Sequence, residues 1–473
     1  MSRTRTAALV FLASAAALSL FAQYVPGPGE APSPDAALTP QLTQSIEDSF
    51  KLTPEAKAVQ NALAANELNA LVTDHAKLIA DDTLFTHVIK DTGAITSQEQ
   101  TGRCWLFAGL NILRPGAMKK YGMENFELSQ AYDQFWDKME RANRSLELAI
   151  ALRDEPADSR KNWTLLTKPI EDGGDWNYVL YLVDKYGVVP KSAMPDTWSA
   201  SHTDQMNALL SALMRKGILA IRQEAAKGAD LAKLRELKAG TLKEVYKVLA
   251  LCLGEPPQEF TWRYENKDHK VSEPKTYTPQ SFYKDFLGAD LNNYVRFVNY
   301  PGKPMHTPLR FAWNRDSADG PDMQALNVTT EEMKKAALAS VLADEAVWFC
   351  CDSSVQRDAK TGLWDQGIQD YNDLFGLDFT MDKGDALAML ERMPDHCMVF
   401  VGVDVRGGKP AKWKVENSWG DKRGRDGYFT ITDSWFDANV YEMLLNRKYA
   451  TPEQLKAMEQ EPYVLPPWDP FTY

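Results

Sequence analysis

Cys104 has a residue type and a position that suit nucleophilic attack on a carbonyl. It follows the polar, turn-rich segment 91–102 and begins an apolar helical pattern that continues to Leu113. A cysteine attacks as the thiolate, and the unpaired N–H groups and the dipole of a helix N-terminus favour that negative charge. Taken alone, a cysteine at the start of a helix is more often a buried structural thiol. The assignment of Cys104 as a nucleophile therefore depends on partners elsewhere in the chain.

The residues around Cys104 supply the first of those partners. Gly102 precedes it by two positions and Trp105 follows it, an arrangement that approaches the signature of papain-type nucleophiles. Gln98 lies six residues before Cys104. At that position its side-chain amide, together with the backbone N–H of Cys104, would stabilise a tetrahedral oxyanion.

A base for Cys104 is expected on a strand far downstream. His396 precedes the apolar strand pattern 397–403, and Asn417 ends the next strand, twenty-one residues later. A hairpin brings the ends of two such strands together, so Asn417 would accept a hydrogen bond from the imidazole and Trp419 would shield that bond from water. The alternative for the Asn-Ser-Trp-Gly segment is an ordinary turn. The other five histidines lie in helical or loop patterns without an asparagine partner: His75, His87, His202, His269 and His306.

Taken together, these motifs resemble the bleomycin hydrolase and aminopeptidase C family of papain-like cysteine peptidases, over about Asp91 to the C-terminus. The matching segments are 98–107, 126–130 with 135–138, 172–174 with 185–188, 347–349 with Asp352, His396, 416–420, 465–466 and 468–470. The resemblance implies Cys104 as nucleophile, His396 as base, Asn417 as orienter and Gln98 as oxyanion donor. It also implies peptide substrates, an acyl-enzyme intermediate, and no metal or organic cofactor.

The resemblance further implies where substrate binds. It assigns substrate contacts to Gly173, Gly174, Trp419 and Tyr473. In the family a C-terminal arm lies along the active-site cleft, and its carboxylate meets the free amino group of the substrate. Here 471–473 follow Trp-Asp-Pro, which predicts a shorter arm. Aminopeptidase action on short peptides is the expected activity, and release of di- or tripeptides, or internal cleavage, is the alternative.

The fold class expected is α+β, with a papain-like helical half, an antiparallel β half and a large insertion between them. Cys104 and His396 are 292 residues apart, against roughly 130–150 in simpler papain-like enzymes. The resemblance implies that the extra residues form a helical subdomain and a hook used in hexameric assembly. The predicted division is 1–22 signal peptide, 23–43 linker, 44–206 helical half with Cys104, 207–326 insertion, 327–465 β half with His396 and Asn417, and 466–473 arm near the active site.

Hydrophobic periodicity predicts the main elements of the two halves. Segments 44–89 and 128–151 have helical spacing, and the helix that begins at Cys104 is expected to stop near Pro115. Strands are predicted at 347–351, 397–405, 412–416 and 428–432.

Five cysteines are too few for a disulfide scaffold in a chain of this length. We therefore expect Cys350 and Cys351 to be small core residues, with no vicinal disulfide between them.

The first twenty-two residues have Arg3 and Arg5 followed by an apolar run, as a secretory signal peptide requires. Export to a periplasm or to the exterior is the inference, with cleavage expected after Ala22; an uncleaved membrane anchor is the alternative. No stable membrane anchor is expected after cleavage. The formal charge is −12, and loss of Arg3 and Arg5 would make it −14. Such an acidic balance does not favour nucleic-acid binding.

Two other classes of protein are the alternatives to a cysteine peptidase. A metallohydrolase or serine hydrolase would carry His-Glu-x-x-His or Gly-x-Ser-x-Gly, and neither motif occurs in the sequence. A non-catalytic scaffold of the same fold is the remaining alternative, although every chemical position of the motif set is filled.

Overall fold

The structure, a computed structural model, describes residues 27–472. The predicted signal peptide, the start of the predicted linker and Tyr473 lie outside the described residues. Among the described residues, no helix combines the length and the apolar character that crossing a membrane requires.

The α-helices are α1 (Pro40–Ser49), α2 (Pro54–Ala65), α3 (Leu68–Val72), α4 (His75–Ala80), α5 (Cys104–Asn111), α6 (Arg114–Tyr121), α7 (Gln130–Ala151), α8 (Arg160–Thr167), α9 (Trp176–Tyr186), α10 (Trp198–Ser201), α11 (Asp204–Ala226), α12 (Leu231–Leu253), α13 (Pro279–Ser281), α14 (Thr330–Leu342), α15 (Tyr371–Phe375), α16 (Lys383–Ala388), α17 (Asp433–Asn439) and α18 (Pro452–Ala457). A π-helix covers Phe282–Leu287, and short 3-10 turns cover Pro34–Ala36, Leu291–Asn293 and Arg447–Tyr449.

The strands are β1 (His87–Val88), β2 (Phe260–Trp262), β3 (Lys275–Tyr277), β4 (Tyr294–Val298), β5 (Pro308–Phe311), β6 (Met323–Asn327), β7 (Val347–Cys351), β8 (Leu363–Trp364), β9 (His396–Arg406), β10 (Lys409–Glu416), β11 (Tyr428–Thr432), β12 (Val440–Asn446) and β13 (Tyr463–Leu465).

One large sheet carries the β half, in the order β13-β5-β6-β4-β12-β7-β9-β10-β11-β8, with β1 added to β9. The four strands predicted from the sequence are present as β7, β9, β10 and β11, and their successive pairings are antiparallel. The whole sheet is mixed, because β8 pairs in parallel with β11, β6 with β4, and β13 with β5. The predicted α+β class is confirmed.

Helix α5 packs against one face of this sheet. In the core between them, Trp105 of α5 is clustered with Trp348 of β7 and Val399 of β9. The indole N–H of Trp348 donates to the carbonyl of Trp105 (3.2 Å), which ties the sheet to the first turn of α5. The opposite face of the sheet packs on α14 and α17. This sandwich places the N-terminus of α5 beside the start of β9.

Helices α7, α11 and α12 form a second core on the helical side. Helix α7 begins where predicted, because the hydroxyl of Ser129 accepts from the Tyr132 N–H and caps it. The stretch 207–326 contributes to both layers: α11 and α12 lie in the helical layer, and β4, β5 and β6 pair into the large sheet.

Two helical stretches of the chain are interrupted by breaks. The helical pattern over 44–89 is divided into four short helices and the short strand β1. Near Pro115 the structure has a short break between two helices, since α5 ends at Asn111 and α6 begins at Arg114 with Pro115 in its first turn. Proline is tolerated there because the first N–H groups of a helix have no intrahelical partner.

Candidate active site

Cys104 occupies the first turn of α5 and is buried. Arg103, at the N-cap, makes no side-chain hydrogen bond to the helix, so the first N–H groups remain available to the sulfur. Burial raises the pKa of the Cys104 thiol to about 11, although backbone N–H groups of Cys397, Trp105 and Cys104 itself lower it. The contribution from Cys397 places the thiol beside the start of β9, where His396 lies.

The His396 ring is held on one side by hydrogen bonding and on one face by stacking. Its Nε2 lies 2.8 Å from Oδ1 of Asn417, and the same oxygen accepts from the backbone N–H of Ser418 (2.7 Å). Because Oδ1 is an acceptor, Nε2 carries the proton and Nδ1 keeps its lone pair for another partner. Trp419 stacks on the imidazole with ring centroids 4.6 Å apart. The structure therefore brings together His396, Asn417 and Trp419 as the sequence predicts.

The pKa of His396 is lowered to about 4 by burial, against the opposing effect of the Asn417 hydrogen bond. Because burial raises the pKa of the thiol and lowers the pKa of the imidazole, it disfavours a thiolate alone and an imidazolium alone. Transfer of the thiol proton to the imidazole leaves the pair neutral overall, and the attraction between the two charges then opposes the cost of desolvation. Between these two pKa values, Cys104 and His396 together hold one titratable proton.

Gln98 is fixed through both atoms of its amide. Its oxygen accepts from the Ser418 hydroxyl (2.8 Å), and its nitrogen donates to the carbonyl of Thr101 (2.7 Å). The backbone N–H of Gln98 donates to the Ser418 carbonyl (2.8 Å). An amide nitrogen carries two N–H groups, so one remains for an oxyanion. Ser418 therefore connects Gln98 with His396: its hydroxyl donates to the Gln98 amide oxygen, and its backbone N–H donates to the Asn417 oxygen that also bonds the His396 ring.

Asp172, Gly173 and Gly174 run alongside the start of α5. The Asp172 carbonyl accepts from the Trp105 indole (2.8 Å), and its carboxylate accepts from the Gly102 N–H (3.2 Å). A Cβ at Gly102 would lie 2.9 Å from the Asp172 Cβ, and one at Gly174 would lie 2.5 Å from the Trp105 ring. Only glycine permits this close approach, so the predicted substrate-contact glycines lie beside the segment that carries Cys104.

The Asp172 carboxylate also anchors this wall to α7. Lys138 approaches it to 2.8 Å, and although burial opposes ionisation, Lys138 and the neighbouring polar groups hold its pKa well below the usual range. Thr203 and Asn207 donate to the same carboxylate. Asp172 therefore remains charged and holds the wall in place.

The C-terminal arm packs on the sheet and then reaches a cavity. Phe471 is buried and stacks on Tyr300 (5.2 Å), whose hydroxyl donates to Asp469 (3.0 Å). A cavity of about 580 Å³ opens beside it, lined by Glu171, Leu390 and Thr472 among others. Most of its lining comes from α7, α8 and the segments 312–314 and 467–472, and Cys104, His396, Asn417 and Gln98 are not among its lining residues. Tyr473, the fourth predicted substrate contact, lies outside the described residues.

Cys350 is disulfide-bonded to Cys397, whereas Cys104, Cys252 and Cys351 are free. Cys350 and Cys351 are buried in the core and form no vicinal disulfide, as expected, but the bond from Cys350 to Cys397 was not predicted. Within the described residues, one group of potential metal ligands has atoms close enough to share an ion: Cys350, Cys397 and Glu442. The two sulfurs of this group are bonded to each other in the Cys350–Cys397 disulfide.

Comparison with known proteins identifies the family. Residues 37–472 match the model of the Peptidase C1-like family. The chain belongs to this family. Aminopeptidase C of Listeria monocytogenes is 36% identical over 435 residues, which cover 92% of this chain and 98% of that protein. Bleomycin hydrolase of Rattus norvegicus is 34% identical over 448 residues, covering 92% and 98%. The crystal structure of PepW from Lactobacillus rhamnosis superposes with a TM-score of 0.89 at 37% identity, covering 92% of this chain and 99% of that one.

The relatives confirm the predicted resemblance to the bleomycin hydrolase and aminopeptidase C family, and the chain is a cysteine peptidase. Three features of the site were not predicted: the Ser418 bridge, the anchoring role of Asp172 and the Cys350–Cys397 disulfide. Ser418 and Asp172 fall within segments that carry the resemblance, and that is the signal that would have identified them. The disulfide had no such signal, because it depends on the register of two strands.

Proposed function

We propose that this peptidase uses Cys104 as nucleophile and His396 as base and acid. The Cys104 sulfur attacks the scissile carbonyl, and its proton passes to Nδ1 of His396. The oxyanion accepts hydrogen bonds from the Cys104 N–H and from the free N–H of Gln98. His396 then protonates the leaving amine, and water hydrolyses the thioester. The His396–Asn417 hydrogen bond of 2.8 Å supports this assignment, since it fixes the ring tautomer that the mechanism needs.

The substrates proposed are short peptides with a free amino terminus, cleaved by aminopeptidase action. The observation that supports this proposal is that Thr472 of the arm and Glu171, the residue before Asp172, line the same cavity. An arm that lies along the active-site cleft, as the family resemblance implies, would limit how much of the substrate extends beyond the scissile bond. The relatives named aminopeptidase C support the same activity.

Release of di- or tripeptides is the second candidate, with internal cleavage as its extreme case. It is favoured by the cavity of about 580 Å³ at the end of the arm, which is large enough for more than one residue of a peptide.

Digestion of one ten-residue peptide, with a free or an acetylated amino terminus, separates these activities. The proposal expects single amino acids from the free peptide, at early times by mass spectrometry, and no cleavage of the acetylated one. Dipeptides from the free peptide would favour the second candidate, and equal cleavage of both peptides would show internal cleavage. Cys104→Ala protein, prepared in parallel, is the control for contaminating peptidases and should release nothing. A wild-type protein as inactive as this variant would favour the scaffold alternative.

We also propose that the protein is exported and that its signal peptide is removed after Ala22. The Cys350–Cys397 disulfide supports export, because disulfides persist in oxidising compartments and are rare in the cytosol. Fractionation of the native host, followed by N-terminal sequencing, tests this proposal. Mature protein that begins at Gln23 outside the cytoplasm is the expected result, and full-length protein confined to the cytosol would contradict it.

A hexameric assembly is proposed from the family resemblance. Large apolar side chains are exposed along the segment 375–393, including Phe375, Leu377, Phe379, Met389 and Leu390. Burial of such side chains between subunits would remove them from water. Light scattering should give a mass about six times that of one chain, and a mass equal to one chain at micromolar concentration would contradict the assembly.

A further inference from the structure

The first residues of β9 are paired on one side only, and they include His396. Strand β10 pairs with β9 from Val399 onward, where Val399 lies opposite Glu416. Among the described residues, the backbone partners of His396 to Met398 are therefore on β7, with Cys351 opposite His396 and Cys350 opposite Cys397. The end of the strand that carries the imidazole has a single neighbouring strand to fix its position.

The Cys350–Cys397 disulfide crosses between β7 and β9 at this point. The residues next to it are joined only by hydrogen bonds. The Asp395 N–H donates to the Cys351 carbonyl (2.9 Å), and the Ser353 N–H donates to the Asp395 carboxylate (2.7 Å). The disulfide is thus the one covalent link from the start of β9 to the rest of the sheet, within the part of the chain described.

The same disulfide lies on the face of the sheet that meets α5. Cys350 and Cys397 belong to the core that contains Cys104 and Trp105, and the Cys397 N–H is the backbone group that most lowers the thiol pKa. A shift of the start of β9 would therefore change the position of the imidazole and, at the same time, remove an N–H group from the sulfur.

We propose that the Cys350–Cys397 disulfide positions His396 for proton exchange with Cys104, so that opening the disulfide lowers turnover. This inference rests on the proposed roles of Cys104 and His396 and goes beyond them. A dithiol reductant would open the bond by donating two electrons and two protons, giving two protein thiols and the cyclic disulfide of the reagent. A reductant that protects Cys104 from oxidation would then also allow His396 to move out of position.

The expected kinetic effect concerns kcat and its pH dependence. Misplacement of a catalytic group by about 1 Å can reduce a rate about 100-fold. We expect the Cys350→Ser/Cys397→Ser double variant to lose about tenfold or more in kcat, with KM nearly unchanged. A thiolate that loses its imidazolium partner and an N–H group has a higher pKa. The acid limb of kcat/KM should therefore move to higher pH in this variant.

The matched control is Val401→Ala. Val401 lies on β9, shares the core that contains Cys397, and is four residues farther from His396. This variant should lower the melting temperature and leave kcat and the acid limb unchanged. Cys252→Ser, at a free cysteine outside this core, controls for loss of a thiol.

The experiment measures kcat, KM and the pH profile of all four proteins on one fluorogenic peptide, with the active fraction of each found by titration of Cys104. Wild type is also measured after dithiothreitol treatment that raises the thiol count in denaturant from three to five. Reduced wild type should match the double-serine variant, and reductant should not change that variant. The inference is overturned if the double-serine variant, or the five-thiol wild type, keeps the wild-type kcat and acid limb. It is also overturned if Val401→Ala shows the same loss at equal stability. An inactive wild type would instead refute the proposed function.

Discussion

Replacement of Ser418 by alanine tests how the oxyanion donor is held. The Ser418 hydroxyl donates to the Gln98 amide oxygen at 2.8 Å, and both side chains are buried. Without it, the bond to the Thr101 carbonyl alone holds the amide, so the N–H proposed as the oxyanion donor is less firmly oriented. Loss of a whole oxyanion donor costs about 2.7–4 kcal/mol. Loss of its orientation alone should cost about 1–2 kcal/mol, which is a fall in kcat of roughly 5- to 30-fold.

A double-mutant cycle with Gln98→Ala gives this prediction its sharpest form. Gln98→Ala should lower kcat about 100- to 1000-fold. Ser418→Ala should then have little further effect, because the amide that it orients is gone. Steady-state kinetics of the four proteins on one peptide provide the test. Losses that multiply in the double variant, or an effect of Ser418→Ala on KM alone, would refute the reasoning.

Three further predictions concern the imidazole and the wall beside α5. Asn417→Ala should lower kcat by about 10- to 100-fold, because the ring loses the acceptor that fixes its tautomer; an unchanged kcat would contradict this role. His396 has a folded pKa of about 4 and an unfolded pKa near 6.5, so the unfolded chain binds more protons between these values. Stability should fall by about 3 kcal/mol as pH drops from 6.5 to 4, and His396→Gln should show a smaller fall in urea titrations. Gly174→Ala should lose about 1–3 kcal/mol by overpacking against Trp105, whereas Gly240→Ala, with open space around its Cβ, should not lower the melting temperature.

Elements set by local patterns could be predicted from the sequence. Helix α7 follows from its apolar spacing, and strands β7, β9, β10 and β11 follow from short apolar runs between turns. The proximity of His396 and Asn417 follows from the same hairpin logic, because β9 and β10 are neighbours in both sequence and space.

Features that depend on distant pairing could not be predicted in this way. The disulfide requires Cys350 to lie opposite Cys397, and a change of one residue in register would separate them. The order of the sheet places β12 between β4 and β7, which no local pattern indicates. The start of α6 at Arg114 could not be predicted either, because a proline in the first turn of one helix and a proline after the last turn of the preceding helix look alike in sequence.

The most direct test of the central claim is the pH dependence of Cys104 alkylation by iodoacetamide, followed by mass spectrometry and residual activity, in wild type and in His396→Ala. If the thiol and the imidazole share one proton, the wild-type rate should be nearly constant between pH 5 and pH 8, whereas the rate of the variant should rise about tenfold for each unit of increasing pH. Loss of activity should match modification of Cys104 one for one. Identical pH profiles in the two proteins, or full activity after Cys104 is alkylated, would contradict the account.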